Sequence, residues 1–237
     1  IHVGQRQRPG GGLAAGHGVF DTVAGQVEPL DAGVRGRAVF VVAAAGQEAG
    51  LTLDEAIATI DEGLAINPQS SSLHAVKAFA FDWYGASGVA GEASQEYLIK
   101  GEQSAVEALQ YDNTNALALA YYAELLIDQQ KWTQAQQYIA QAMERDSSLM
   151  DVHRVNGNIQ EAIANYNGAI EEYQKAIAIT PNLNFLYMSL GANYRKLANL
   201  AITTPEQTYY FDLTLEAFAK AVAINDQLGV NDPIPLL

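Results

Sequence analysis

The chain has 237 residues, 49% of them hydrophobic, and a formal net charge of −14 at pH 7. Only 13 residues are Lys or Arg and no basic stripe is visible, so a polyanionic partner such as DNA or RNA is disfavoured. Because cysteine is absent, a disulfide framework, a thiol nucleophile and a cysteine metal site are excluded.

No apolar run approaches the roughly 18 residues that a membrane span requires. Together with the lack of cysteine and of a visible signal segment, this favours the cytoplasm, although it does not fix the compartment. Since the chain begins at Ile1 and not at Met, and since residues 231–237 resemble the opening of a further repeat, we expect the parent protein to be longer.

The first fifty residues differ in composition from the rest of the chain. They hold 11 of the 20 glycines but no Lys, Asn or Tyr. The segments Gln5–Gly12 and Gly16–Gly18 are typical of turns or disorder. We therefore predict an irregular lead over residues 1–36. It is either a native Gly-rich linker or non-native sequence, for example one translated from another reading frame.

From residue 37 onward, small residues recur at three places of a repeating unit whose basic length is 34 residues. Five units can be laid out, at 37–70, 71–115, 116–149, 150–183 and 184–228. The eighth place holds Ala44, Ala78, Ala123, Gly157 and Gly191; the twentieth holds Ala56, Gly101, Ala135, Ala169 and Thr214; the twenty-seventh holds Gly63, Ala108, Ala142, Ala176 and Ala221. Small residues recur where two helices cross closely, so this period predicts stacked helix pairs.

Segments within these units resemble the tetratricopeptide repeat (TPR) family. Tyr187–Tyr194 is similar to its first-helix signature, while Ala56–Pro68 and Ala169–Pro181 are similar to its second-helix signature, which ends in proline. The resemblance implies an all-α fold, a right-handed superhelical solenoid of about five helix hairpins over 37–228. Residues 229–237 would then begin a truncated further unit.

Two of the units are longer than the others. The second and fifth have 45 residues, and the 11 extra residues equal about three helical turns, so both helices can lengthen without rotating their buried faces. In the second unit, Gly85–Ser94 is predicted to form the turn. In the fifth unit, we predict that Thr204 caps a second helix running from Pro205 to about Asn225.

The sequence offers no cluster of residues with the spacing of a catalytic, metal or cofactor site. No two of the four histidines have the i, i+4 spacing of a helical metal site, and Gly10–Gly12 lacks the Lys-Ser/Thr of a phosphate-binding loop. His74 and His153 occupy equivalent places in two units, which indicates packing or a role at the edge of a helix and not a set of metal ligands. We therefore predict no catalytic residue, metal or cofactor.

The TPR resemblance implies instead that the first helices line a concave groove that holds a peptide. The predicted groove residues are Phe79, Trp83, Glu124, Asp128, Arg154, Asn158, Arg195 and Lys196. Arg can bind a carboxylate bidentately and Asn can pair with a peptide backbone. Alternatively, Arg154 pairs with Asp151 or Glu161 on its own helix, and the two aromatic residues belong to the core.

These observations favour a non-enzymatic scaffold that binds a protein or peptide in its groove. One alternative is a regulatory or assembly segment of a larger enzyme whose catalytic domain lies outside this chain. Self-association through an open stacking face after Leu228 is a further possibility. Neither a nucleic-acid partner nor insertion of this segment into a membrane is expected.

Overall fold

The computed structural model describes residues 53–86 and 90–228, and within them it contains nine α-helices, one short 3₁₀ helix and no strand. The α-helices are α1 Leu53–Ile66, α2 Ser71–Ala86, α3 Ser94–Tyr111, α4 Ala116–Asp128, α5 Trp132–Arg145, α6 Met150–Ala162, α7 Tyr166–Ile179, α8 Asn184–Leu200 and α9 Thr204–Leu228; the 3₁₀ helix is Gly91–Ala93. The predicted all-α class is confirmed. The lead over 1–36, the first helix of the first unit and residues 229–237 lie outside the described residues.

The helices pack as consecutive hairpins: α2 with α3, α4 with α5, α6 with α7 and α8 with α9. The first helices α2, α4 and α6 also contact one another in turn, whereas α8, apart from its hairpin partner α9, packs against α7. The hairpins are therefore stacked, and each buries its apolar face against its neighbours, as a solenoid requires. None of the helices in this part of the chain has the length and hydrophobicity of a membrane span.

The turns of the third and fourth units are built alike. Gln130 and Ala164, one repeat apart, both have φ of 60°, the left-handed conformation that ends a helix. The next backbone N–H in each turn donates to a carbonyl of the last helical turn, from Lys131 to Leu126 and from Asn165 to Gln160, both at 2.8 Å. The repeat in sequence is thus a repeat in backbone hydrogen bonding.

The columns of small residues lie at the helix crossings, as predicted. All fourteen of their members in the described residues are buried. A Cβ added at Gly157 would lie 2.8 Å from the ring of Tyr173, and one added at Gly191 would lie 2.5 Å from the ring of Phe218. The unit that has Ala123 at this place carries the smaller Ile139 opposite. Glycine therefore occurs where the facing helix contributes an aromatic ring.

The two lengthened units contain longer helices, as predicted. In the second unit, α2 and α3 have 16 and 18 residues, and in the fifth, α8 and α9 have 17 and 25, against 13 or 14 in the third and fourth. The predicted cap of α9 was wrong by one residue. The Oγ1 of Thr203, not of Thr204, accepts from the N–H of Glu206 at 3.4 Å. The helix also continues to Leu228, beyond the predicted Asn225.

The two equivalent histidines hold their helices to the preceding loop. The Nε2 of His153 lies 2.9 Å from the carbonyl of Ser147, and the Nε2 of His74 lies 3.0 Å from that of Pro68. The Nδ1 of His153 also lies 2.7 Å from Glu172. Burial alone would raise the pKa of Glu172, but hydrogen bonds from His153 and Lys175 lower it to about 2. Of the two predicted roles, these contacts fit the one at the edge of a helix, since each ring bonds to the loop that precedes its helix.

A double-mutant cycle tests the match between the small residue and the facing ring. Gly191→Ala forces the new methyl group into Phe218, a strain of about 1–3 kcal/mol that the better helix propensity of Ala only partly offsets. Phe218→Ile recreates the pairing of Ala123 with Ile139. We expect the double variant to be more stable than the sum of the single effects by at least about 1 kcal/mol, measured by urea unfolding. Additive effects would show that the two residues are not matched.

Candidate functional site

The eight predicted groove residues all lie on the first helices of their units. Phe79 and Trp83 belong to α2, Glu124 and Asp128 to α4, Arg154 and Asn158 to α6, and Arg195 and Lys196 to α8. We call the surface formed by these helices the inner wall. The structure joins Phe79, Glu124, Arg154 and Asn158 in one contact network. The other four residues have different surroundings.

Arg154 at the centre of the inner wall is bound within the protein. Its two terminal nitrogens donate to the two carboxylate oxygens of Glu124, at 2.5 and 2.7 Å, and its Nε donates to Asp151 at 3.1 Å. The bidentate pair joins α6 to α4, in a geometry that suits a guanidinium and a carboxylate. Pairing with Asp151 was one of the two sequence alternatives for Arg154. The bond to Glu124 was not foreseen.

The same guanidinium is enclosed by aromatic rings. Its carbon lies 5.3 Å from the centroid of Phe79 and 6.0 Å from that of Tyr121, and these two rings stack at 4.8 Å. Only 8% of Arg154 is exposed. Burial alone would lower the pKa of Arg154, but the charges of Glu124 and Asp151 outweigh it and raise that pKa well above its ordinary value. Arg154 therefore stays charged and acts as a crosslink between helices.

The hydrogen-bond network continues from Glu124 to α8. Asn158 donates to Glu124 at 2.9 Å and accepts from the hydroxyl of Tyr173 at 2.7 Å. Glu161 accepts from Asn193 of α8 at 2.9 Å. Burial, together with the charge of Glu161, raises the pKa of Tyr173, so its hydroxyl remains a donor. One N–H and the carbonyl oxygen of the Asn158 amide are thus bonded within the protein.

Asp128 takes part in a second, acidic contact that the sequence analysis did not single out as a pair. Its carboxyl group interacts electrostatically with that of Asp82 on α2, and we call these two residues the acid pair. Burial, followed by the charges of Asp128 and Glu124, raises the pKa of Asp82 well above its ordinary value. Burial and the charge of Glu124 raise the pKa of Asp128 to about 6, although part of this side chain is exposed to solvent.

The acid pair does not have the accessibility of a catalytic pair. Shifted carboxyl groups mark many active sites, but buried ionic networks shift them too. Asp82 is only 2% exposed, so a substrate cannot reach it. In residues 53–86 and 90–228, no group of three or more His, Asp or Glu side chains is arranged to hold a metal ion.

The remaining predicted residues lie at the two ends of the wall. Phe79 and Trp83 are partly buried and pack against the core cluster shared by α1, α2, α3 and α4, close to the alternative prediction that they belong to the core. Arg195 is half-buried and Lys196 is exposed. Among the residues that the structure describes, no carboxylate forms an ion pair with Arg195 or Lys196. These two cations are accessible to a partner, whereas Arg154 is not.

No family model and no curated protein sequence matches this chain. Solved structures similar to it include the human IFIT1 dimer with m7Gppp-AAAA, with a TM-score of 0.67 and 16% identity over 84% of this chain and 44% of that one. A monomeric IFIT1 mutant with m7Gppp-AAAA has a TM-score of 0.68 and 14% identity over 90% of this chain and 48% of that one. Pseudomonas aeruginosa pilF has a TM-score of 0.51 and 18% identity over 85% of both chains.

These likenesses concern the fold. They confirm the expected superhelical TPR solenoid, which the stacked hairpins already indicate. The chain spans less than half the length of the IFIT1 chains that it matches.

Removing Arg154 is expected to destabilise the fold strongly. Arg154→Ala leaves Glu124 and Asp151 buried without a counter-charge, which costs about 3–5 kcal/mol. The double variant Arg154→Met, Glu124→Met removes both charges of the bidentate pair and should recover part of that loss. Urea unfolding measures both effects. Lys100→Ala, which removes an exposed ion pair with Glu96, is the control and should leave stability unchanged. An Arg154→Ala protein as stable as the control would contradict the crosslinking role.

The acid pair predicts a specific dependence of stability on pH. The pKa of Asp82 is raised in the folded state, so the folded protein binds this proton more tightly than the unfolded chain does. Stability therefore falls as pH rises from about 4 through the raised value. The variant Asp82→Asn has no titrating group at this position, so its stability should not fall in this way as pH rises. We expect its melting temperature to equal that of the wild type near pH 4 and to exceed it increasingly toward pH 8. Asp212→Asn, at an exposed site on α9, should show no such divergence.

Proposed function

We propose that this chain is a non-catalytic scaffold that binds a segment of another protein along the inner wall. The observation that supports this most is that polar side chains in the middle of the wall are hydrogen-bonded to other residues of the protein. Glu124, Arg154, Asn158 and Glu161 are held by bonds within the protein. A surface ordered in this way loses little conformational freedom when a partner docks, which favours binding.

The charges at the two ends of the wall suggest the orientation of such a segment. Asp128 is exposed at the end formed by α2 and α4, while Arg195 and Lys196 are accessible on α8. A partner with a basic part facing Asp128 and an acidic part facing α8 would be complementary. Complementarity of this kind contributes chiefly to association rate and specificity.

A polypeptide is a better candidate than a nucleic acid. IFIT1 was solved with m7Gppp-AAAA, so a solenoid of this fold can hold such a ligand. In this chain, however, the first helices α2, α4 and α6 carry five carboxyl groups against two cations, Lys77, which pairs with Asp61 of α1, and the buried Arg154; the carboxyl groups belong to Asp82, Glu124, Asp128, Asp151 and Glu161. A phosphate backbone would be repelled there.

Self-association through the face after α9 stays a second proposal. Leu215 and Val222 of α9 are 52% and 43% exposed. Ile170 and Ile177 occupy the same places on α7, where they belong to or pack against the core cluster that includes α8. The exposed pair therefore supports docking of a similar helix, which sedimentation over a range of concentrations would detect.

The accessible cations provide the direct test of the scaffold. We expect Arg195→Ala, Lys196→Ala to reduce capture of native partners several-fold, because it removes the free charges of the wall without breaking an ion pair. The measurement is affinity enrichment followed by quantitative mass spectrometry, then direct binding with each purified partner.

The matched control is Arg145→Ala, Lys220→Ala, which removes the same net charge from exposed residues on second helices. It should leave capture unchanged. Equal losses in both double variants would mean that only net charge matters, and no loss in either would contradict the placement of the site on the inner wall.

A further inference from the structure

The inner face of α8 differs from that of α6, one repeat earlier in the chain. On α6, the polar residues of this face belong to the network that is bonded within the protein. On α8, the residues 34 positions further along are apolar at three places and cationic at two; they are Phe185, Met188, Ala192, Arg195 and Lys196. We call these five residues the α8 stripe.

The α8 stripe is accessible along its length. Its members follow one another at intervals of three or four residues, which places them on one face of the helix. Phe185 is 37% exposed, Lys196 is exposed, and the other three residues are half-buried. Neither of its two cations forms an ion pair within residues 53–86 and 90–228. The stripe therefore offers apolar surface and free positive charge together.

The apolar surface continues past the end of α8 onto the tip of the fifth hairpin. Leu200, one turn beyond Lys196, is 65% exposed, and Ile202 in the loop is 97% exposed. Hydrogen bonds hold this loop in place, because the N–H of Ala201 donates to the last turn of α8 at 2.9 Å and Thr203 caps α9. Two large aliphatic side chains are thus presented to solvent on an ordered backbone. Exposed apolar groups that lie together mark interaction surfaces.

Neighbouring helices leave this side of α8 open. In the described part of the chain, α8 packs against α9 and α7, and it lacks a contact with α6 of the extent that α6 has with α4. From Phe185 to Leu200 the open surface is about 22 Å long, at 1.5 Å per helical residue. A helix of about four turns has the same length. Amphipathic helices bind such surfaces through apolar residues three and four positions apart.

The charges decide among the possible occupants. Arg195 and Lys196 favour carboxylates, and at physiological ionic strength, where charges are screened beyond about 8 Å, these nearby cations outweigh the net charge of −14. A second copy docked stripe to stripe would bring cations against cations. An anionic membrane is a poorer match, because Glu206, exposed in the first turn of α9, would approach its headgroups together with the tip.

We propose that the α8 stripe, together with Leu200 and Ile202, binds an acidic amphipathic helix of a partner protein. The apolar face of that helix covers Phe185 at one end of the stripe and the hairpin tip at the other. Its carboxylates, placed between these apolar contacts, pair with Arg195 and Lys196. The inference rests on the proposed function and specifies the chemistry and conformation of the acidic part of the docked segment.

The test uses a synthetic helix and two altered versions of it. The probe is a fluorescently labelled peptide of about four helical turns, with leucines along one face and glutamates beside them. In one control peptide glutamine replaces every glutamate, and in the other serine replaces every leucine. We expect each control to bind at least fivefold more weakly than the probe, measured by fluorescence anisotropy. Equal binding of all three peptides, or no binding of the probe, would overturn the proposal.

Variants of the chain locate the site. Leu200→Ser, Ile202→Ser should weaken binding of the probe at least fivefold. Arg195→Ala, Lys196→Ala should do the same and should also abolish the preference for glutamate over glutamine. The matched control is Ile66→Ser, which removes an aliphatic side chain that is 72% exposed on α1 and should leave binding unchanged. If Leu200→Ser, Ile202→Ser binds the probe as well as the wild type does, the hairpin tip is not part of the site.

Two measurements without the probe address the other occupants. Vesicles of phosphatidylcholine and phosphatidylserine should not bind the chain, and vesicle binding that Leu200→Ser, Ile202→Ser abolishes would assign the tip to a membrane. An oligomer that the same double variant dissociates in sedimentation would assign it to a second copy. Either result would contradict the proposal.

Failure of this inference is distinguishable from failure of the proposed function. If the probe does not bind, but Arg195→Ala, Lys196→Ala still reduces capture of native partners, the scaffold is retained and the amphipathic helix is contradicted. If the probe binds at the α8 stripe while neither double variant affects capture, the stripe is retained and the inner wall is not where native partners dock.

Discussion

The distance at which paired helices cross is the constraint on which the rest of this structure depends. It is set by a small residue on the first helix and the side chain facing it on the second. Gly157 lies against Tyr173 and Gly191 against Phe218, so closely that a methyl group would overlap either ring. Close-packed interiors do not absorb such an overlap without strain. In these two hairpins, therefore, a small residue on the first helix is required for the second helix to pack as it does.

The stacking of the hairpins creates the polar network of the inner wall. Stacking α4 on α6 brings Glu124 within bonding distance of both Arg154 and Asn158, which lie 30 and 34 residues further along the chain. The bidentate pair of Arg154 and Glu124 is largely shielded from solvent. It is costly to break, because either partner left alone would be a buried charge. The helix crossings and the polar bonds of the inner wall therefore act together. The small residues set the spacing of the helices, and the bonds from Glu124 join neighbouring units.

This arrangement changes where a partner can act. A cation inside a repeat groove is easily taken for a ligand-binding group, yet Arg154 is occupied by Glu124, Asp151 and two aromatic rings. The polar groups that a partner can reach therefore lie at the ends of the wall. At one end, Arg195 and Lys196 remain accessible. At the other end Asp128 is exposed, so the two ends of the wall carry charges of opposite sign.

The sequence by itself determined the all-α class, the repeat, the longer second and fifth units and the helices that carry the wall, because a fixed spacing of small residues is a local signal. It could not determine which polar residues are free. Arg154 and Arg195 are both arginines on first helices, and only tertiary structure decided that one is enclosed and the other accessible. The pairing of Asp82 with Asp128, 46 residues apart, likewise depends on how α2 stacks on α4. Charge and burial at such sites depend on distances between units, and the chain does not encode those distances in any local pattern.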